Sequence, residues 1–307
     1  EVAGPLAVLA GDDPSAIDAF LSLLPDAGLR ADVRLAVAAA CTGPDAAAPW
    51  TGALLESLGE VVEENRRAGL LAAVAPLLRH GLITNALTAA QSLRDPEARA
   101  GALSALSGRC ARLGEVDTAL GLLPSLSGSW KAEALRVIAT SMVESGDTAA
   151  GCRWARELPH PPWTAEILVL AAHRLPTGAA EEVLDEAEGL LAGLDSTSLS
   201  TAMTRMAAQA PAAHRFRFFD RAKATAQRLD DPYERSVAMA GIVEAFASCG
   251  YYEDALAASA EVVDDYWKFT SLVTVASGAP DVVRSVLAHA TDLPDGLRAR
   301  VQSACLR

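Results

Sequence analysis

The chain has 307 residues, 51% hydrophobic and only 5% aromatic, with 26 Lys plus Arg against 39 Asp plus Glu and a formal charge of −13. That charge repels phosphate backbones and anionic lipid headgroups, and no basic stripe is long enough to reverse it locally, so nucleic acid and membrane surfaces are not expected as partners. No run of 18 apolar residues is free of charges and helix breakers, and Ala and Leu dominate, so the expected product is a soluble, cytoplasmic, all-helical protein.

The chain starts at Glu1 rather than Met, with no basic segment leading into an apolar core, so no signal peptide is expected. It ends at Cys305-Leu306-Arg307 directly after a helical pattern. Helical arrays need polar terminal caps, so the two ends are read as belonging to a piece of a larger protein.

In chain order, Asp12-Asp13-Pro14-Ser15 opens the first helical pattern, with apolar residues at Ile17, Leu21 and Leu24. Asp and Ser there act as helix caps by accepting backbone N–H bonds. A weaker copy around Ala46 carries Thr51, Leu55 and Leu58. From there the pattern sharpens: Gly81, Gly114, Gly146 and Gly178 are spaced 33, 32 and 32, and Gly250 plays the same part later.

Fixed offsets from each Gly carry small or apolar residues. Five residues on stand Ala86, Ala119, Gly151, Val183 and Ala255; twelve on stand Leu93, Leu126, Leu158, Leu190 and Val262. The frame also fits from Arg217, with Ala222, Ala226 and Leu229, and from Asp281, with Val286, Ala290 and Leu293. These offsets put one face of each helix inside. Each Gly is expected to supply the left-handed residue that ends a first helix, and the small residues after it let two helices approach closely. Pro or Asp-Pro then opens the next unit, as at Asp95-Pro96, Pro159, Asp231-Pro232 and Pro294. The interval between Gly178 and Arg217 is 39, about seven more than the rest, so an irregular or lengthened loop is expected within 192–216, in or near Ser196 to Arg215. Asp195-Ser196-Thr197-Ser198 is read as cap and loop.

Few residues suggest chemistry. Cys41, Cys110, Cys152, Cys249 and Cys305 show no C-x-x-C pair and no His at ligand spacing, so free thiols in a reducing compartment are expected. His80, His160, His173, His214 and His289 form no metal or catalytic pattern, and no nucleophile elbow, phosphate-binding loop or dinucleotide fingerprint is present. Asp230-Asp231-Pro232-Tyr233-Glu234 has the spacing of a cation-binding acidic box in an all-helical enzyme, but Asp95-Pro96-Glu97 occupies the matching place in another unit, so a turn and cap is the better account. No metal, cofactor or catalytic residue is therefore assigned. Trp130, Trp163, Tyr233 and Trp267 recur near the start of helices, and their expected role is packing between units, with the gripping of a partner as the sharper alternative.

The Gly at the helix–helix turn, the small residue after it and the closing Pro together resemble a divergent tetratricopeptide repeat over roughly residues 60–293. The stretch Leu103–Leu126 matches best, with Gly114 in the turn and Ala119 after it. Ala139 and Ala171 fill the small site of the first helix, whereas Ser107, Val74 and Val243 depart from it, and the family's early Trp and mid-helix Tyr are missing. The resemblance implies an all-α, right-handed superhelix of antiparallel helix pairs, eight to nine in residues 1–307 taken as a single solenoid. It also implies that the first helix of each pair lines a concave, partner-binding face. The residues there outside the core frame include Arg79, Arg112, Glu133, Arg136, Thr140, Glu144 and Glu244, with Leu168 on an apolar stretch of the same face. The Lys and Asn clamp that some such domains use for terminal carboxylates is not present. The implied role is a non-enzymatic scaffold or sensor region for a protein or peptide, of the kind found in large signalling proteins of high-GC bacteria. An all-helical metal-dependent enzyme and a self-associating module are the alternatives.

Overall fold

The computed structural model describes residues 14–41, 44–279 and 282–305. Asp12, Asp13 and Asp281, and the chain ends at Glu1 and Arg307, lie outside the described residues. The described chain forms 18 α-helices and no strand, as the Ala/Leu composition requires. It divides into two compact units, residues 1–159 and 160–307.

The first unit opens with α1 (Pro14–Ser22). Four helix pairs follow: α2 (Ala27–Ala40) with α3 (Pro44–Ser57), α4 (Glu64–Val74) with α5 (His80–Gln91), α6 (Pro96–Arg112) with α7 (Val116–Leu122), and α8 (Gly128–Ser145) with α9 (Thr148–Ala155). The first helices pack in sequence, α2 on α4, α4 on α6 and α6 on α8. The second unit holds α10 (Pro161–Ala172) with α11 (Thr177–Leu190), α12 (Ser196–Gln209) with α13 (Arg215–Ala226), α14 (Pro232–Ser248) with α15 (Tyr252–Ser259), α16 (Asp265–Gly278) with α17 (Val283–His289), and α18 (Asp295–Cys305). Its first helices again pack in order from α10 to α18.

Helix starts are set by aspartate. Asp26, Asp95, Asp147, Asp195, Asp231 and Asp264 each accept a backbone N–H from the first turn of the helix they precede. Such caps each stabilise a helix by about 1 kcal/mol. A second device follows the first. The fourth residue of α2, α6, α14 and α18 is an arginine that reaches back to the carbonyl closing the previous unit: Arg30 to Leu24 at 2.9 Å, Arg99 to Leu93 at 3.0 Å, Arg235 to Leu229 at 3.1 Å and Arg298 to Leu293 at 3.0 Å. Those leucines stand twelve residues into the frame, and three of them, Leu93, Leu229 and Leu293, are buried. One side chain thus fastens each turn at the point where the apolar seal ends.

Close approach of the two helices of a pair rests on small residues. In α8 and α9, a Cβ at Gly151 would lie 2.9 Å from the Ala139 carbonyl oxygen and 2.5 Å from Val143 Cγ2. In α6 and α7 the buried Ser107 hydroxyl donates to the Ala119 carbonyl at 3.1 Å, so the serine that departs from the small-residue pattern is satisfied across the interface.

Three expectations are corrected. Gly114, Gly146 and Gly250 have φ of 81°, 102° and 81°, in the left-handed region, but Gly81 and Gly178 sit inside the first turns of α5 and α11. Proline explains both. Pro76 ends the first helix in a 3-10 turn whose capping residue, Leu78, is extended, and Pro176 is itself the extended cap of α11. An extended link closes the turn there without a left-handed residue. The frame from Gly178 is also displaced by one residue: Leu184 and Leu191 are fully buried, whereas Leu190 is 36% exposed.

The lengthened loop expected within 192–216 is mostly helix. Ser200 donates to the Ala222 carbonyl at 3.2 Å, the same bond that Ser107 makes to Ala119, yet across 22 residues instead of 12. The additional residues are helical and lie between the bonded positions, in the end of α12 and the start of α13, and a 3-10 turn at Ala212–His214 joins them. The Ser/Thr-rich start reads as loop from composition, but Asp195 caps it and Met203, Met206 and Ala207 bury its inner face.

Candidate partner-binding grooves

Among the described residues each unit carries a groove walled by first helices. In the first unit it measures about 670 Å³ and lies over α6, between α4 and α8. Its floor is small: Ala98, Gly101, Ala105 and Gly108 succeed one another along α6, faced by Ala68, Gly69 and Ala72 of α4. Residues spaced three and four apart share a helix face, so these form one shallow track instead of a row of knobs. Asp95 and Glu97 stand at its start, Arg112 at its end, and Trp130, Glu133 and Val137 of α8 along its side.

Side chains around this groove are fixed by their neighbours. The Trp130 ring rests against α6, where a Cβ on Gly101 would lie 3.3 Å from it, and the Ser104 hydroxyl donates to the Trp130 carbonyl at 3.0 Å. Arg136 holds Glu133 in a fork, Nε to Oε2 at 3.0 Å and Nη2 to Oε1 at 2.6 Å. Thr140 donates to the Arg136 carbonyl at 2.8 Å. Arg109, one turn before Arg112, donates through Nε to the Leu78 carbonyl at 2.9 Å. Burial, and then the charge of Arg112, hold its guanidinium below the usual arginine range.

In the second unit a groove of about 650 Å³ lies between α12 and α14. Thr197, Thr201, Thr204 and Ala208 form one wall; Tyr233, Val237, Gly241, Glu244 and Ser248 form the other. Thr201 and Thr204 donate to carbonyls of their own helix, which leaves their oxygens as acceptors toward the groove. Arg205 pairs with Glu166 at 3.3 Å, and Thr197 donates to Glu234 at 3.2 Å.

The residues singled out in the sequence therefore separate. Arg112 and Glu133 share the first groove, with Arg136 and Thr140 beside Glu133 on α8, and Glu244 lines the second. Glu144 is exposed near the end of α8. Arg79 lies elsewhere, at the turn before α5, in an ion pair with Asp45. Leu168 is fully buried, as are Ala165 and Ala172 beside it, so it offers a partner nothing to touch. Helix α10 is apolar on nearly every side, and periodicity alone does not say which side is covered.

The aromatics that recur near helix starts split in role. Trp130 and Tyr233 are 39% and 58% exposed and line the two grooves. Trp163 leans on His160 and Trp267 on Tyr233 and Tyr266. The acidic box also resolves: Asp231 accepts from the Tyr233 and Glu234 amides at 2.7 and 3.3 Å as the cap of α14. Among the described residues no group of three or more His, Cys, Asp or Glu is placed to hold a metal ion, and no helix is long and apolar enough to cross a membrane.

No protein-family model and no curated protein matches the chain. Among solved structures it is similar to Ton1535 from Thermococcus onnurineus NA1, at 15% identity over 98% of this chain and 97% of that one, with a TM-score of 0.34. That likeness is too loose to transfer a fold or an activity.

Proposed function

We propose that the chain is a non-enzymatic interaction scaffold whose helix pairs stack as a right-handed, tetratricopeptide-like array, and whose first-helix face receives a protein or peptide. One observation carries this reading: in each unit a groove of about 670 or 650 Å³ is walled by first helices, α4, α6 and α8 in one and α12 and α14 in the other. Each combines an apolar floor, an exposed aromatic and charges of both signs at the rim. Apolar floors supply affinity and rim charges supply register, which is how helical grooves take polypeptide segments. All five cysteines are free, which supports a reducing, cytoplasmic setting.

The test is affinity capture from native lysate with the full chain and with an Ala105→Trp variant that fills the first groove. A partner retained by the wild type and lost by the folded variant supports the reading. Partners indifferent to the substitution, and to a Gly241→Trp change in the second groove, contradict it.

A further inference from the structure

We propose that the groove of the first unit recognises a basic polypeptide segment, seating one Lys or Arg side chain between Trp130, Glu97 and Glu133. This rests on the reading of that groove as a partner site and specifies its chemistry.

With no side chain at Gly101, the Trp130 ring lies close against α6, where a Cβ would stand 3.3 Å from it, and the ring so placed is still 39% exposed. Glu97 stands one turn before Gly101 on α6 and Glu133 one turn after Trp130 on α8, and all three line the same cavity. Glu97 is exposed and enters no ion pair among the described residues. Glu133 is held in orientation by the Arg136 fork. Counting Asp95, the carboxylates at this end outnumber the one arginine that pairs with them. An indole face flanked by carboxylates attracts a cation through the ring quadrupole and through charge together.

The rest of the groove argues for a polypeptide over a free small cation. From Glu97 the track runs over Ala105 and Gly108 to Arg112, about 22 Å at 1.5 Å per residue. An extended segment of about six or seven residues covers that length, and Arg112 at the far end meets an acidic group on it. The second unit carries the same combination independently, with Tyr233 beside Glu234 and Glu244 farther along the wall. The chain's charge of −13 draws basic segments toward both.

The experiment is calorimetric titration of the full chain with two acetylated, amidated Ala/Leu peptides of about seven residues, the span set by the groove length. One peptide has an arginine near its start and a glutamate near its end; its twin has citrulline, neutral and of the same shape, in place of the arginine. The arginine peptide is expected to bind at least about tenfold more tightly, about 1.4 kcal/mol. Glu97→Gln, at an exposed site that leaves the fold intact, and Trp130→Leu are each expected to erase most of that preference. Equal affinity for the twins, binding of neither, or a preference that survives Glu97→Gln overturns the inference. None of those outcomes touches the broader reading of the groove, which the Ala105→Trp capture decides by itself.

Discussion

The Arg99 guanidinium donates to the Leu93 carbonyl at 3.0 Å, joining the fourth residue of α6 to the residue that seals the preceding pair. Arg30, Arg235 and Arg298 make the same bond at the same place in their helices. Arg67, Lys131 and Lys268 also stand fourth in α4, α8 and α16. Only α10 and α12 among the first helices place Thr164 and Leu199 there. The four arginines satisfy a carbonyl that the helix end leaves open, whereas Arg67 pairs with Glu64 and Lys268 with Asp292.

Arg99→Met is therefore expected to destabilise the first unit by about 1.5 kcal/mol, the low end for a hydrogen bond to a charged group, because this one is part-buried. Urea unfolding measures the loss, and hydrogen exchange should quicken at the start of α6. An unchanged midpoint with unchanged exchange would show that the bond is ornamental.

Glycines should respond with opposite signs according to what a Cβ would meet. At Gly151 it meets the Ala139 carbonyl oxygen at 2.9 Å, so Gly151→Val is expected to cost about 2 to 3 kcal/mol by overpacking. At Gly69, inside α4 and exposed, nothing lies within 4 Å, so Gly69→Ala should stabilise by about 0.5 to 1 kcal/mol. Thermal unfolding of the two variants checks both signs at once.

Acid should act through Glu64. The Asp95 amide, 2.7 Å from its Oε2, holds the Glu64 carboxyl below the usual range, with the Arg94 amide and the Arg67 charge adding to it. A lowered folded value means that the stabilisation is present above the unfolded value of about 4.3 and is lost as pH falls through the folded one. The stability gap between wild type and Glu64→Gln is thus expected to be full at neutral pH and to close in acid. A gap that widens below about pH 4 would reverse the sign.

Cys110 reports on α6 from within. Burial, and then the charge of Glu115, push its thiol up to about 11, so almost no thiolate exists at neutral pH. In a variant keeping only this cysteine, labelling by a disulfide reagent should occur only as fast as the unit opens, and denaturant should accelerate it. Labelling at the rate of a free thiol in the native chain would contradict the burial.

Much of this helix pairing is legible in the sequence because the apolar pattern recurs at short, nearly constant intervals. Leu93, Leu126, Val262 and Leu293 are buried where the twelve-residue offset puts them. What escapes is set by local competition. Pro76 and Pro176 close turns that glycine was expected to close, and Asp195 makes a helix of a segment whose Ser/Thr content reads as loop. The basic residues Arg67, Arg99 and Lys131 recur every 32 residues, a periodicity that the apolar frame hides because it tracks only buried positions. Of the candidate face, Arg112, Glu133 and Glu244 were readable as outward residues of first helices. Leu168 is buried in a helix that is apolar on nearly every side, and the seating of the half-exposed Trp130 ring beside Gly101 shows only in three dimensions.

The most direct test of the central claim is site-specific photocrosslinking of the full chain in native lysate, with benzoylphenylalanine in place of Ala105 on the floor of the first groove or of Asp117 on the exposed side of α7. A discrete protein adduct from the Ala105 position and none from Asp117 is the result predicted for a first-helix scaffold face. An adduct from Asp117 alone, or from neither position, would contradict it.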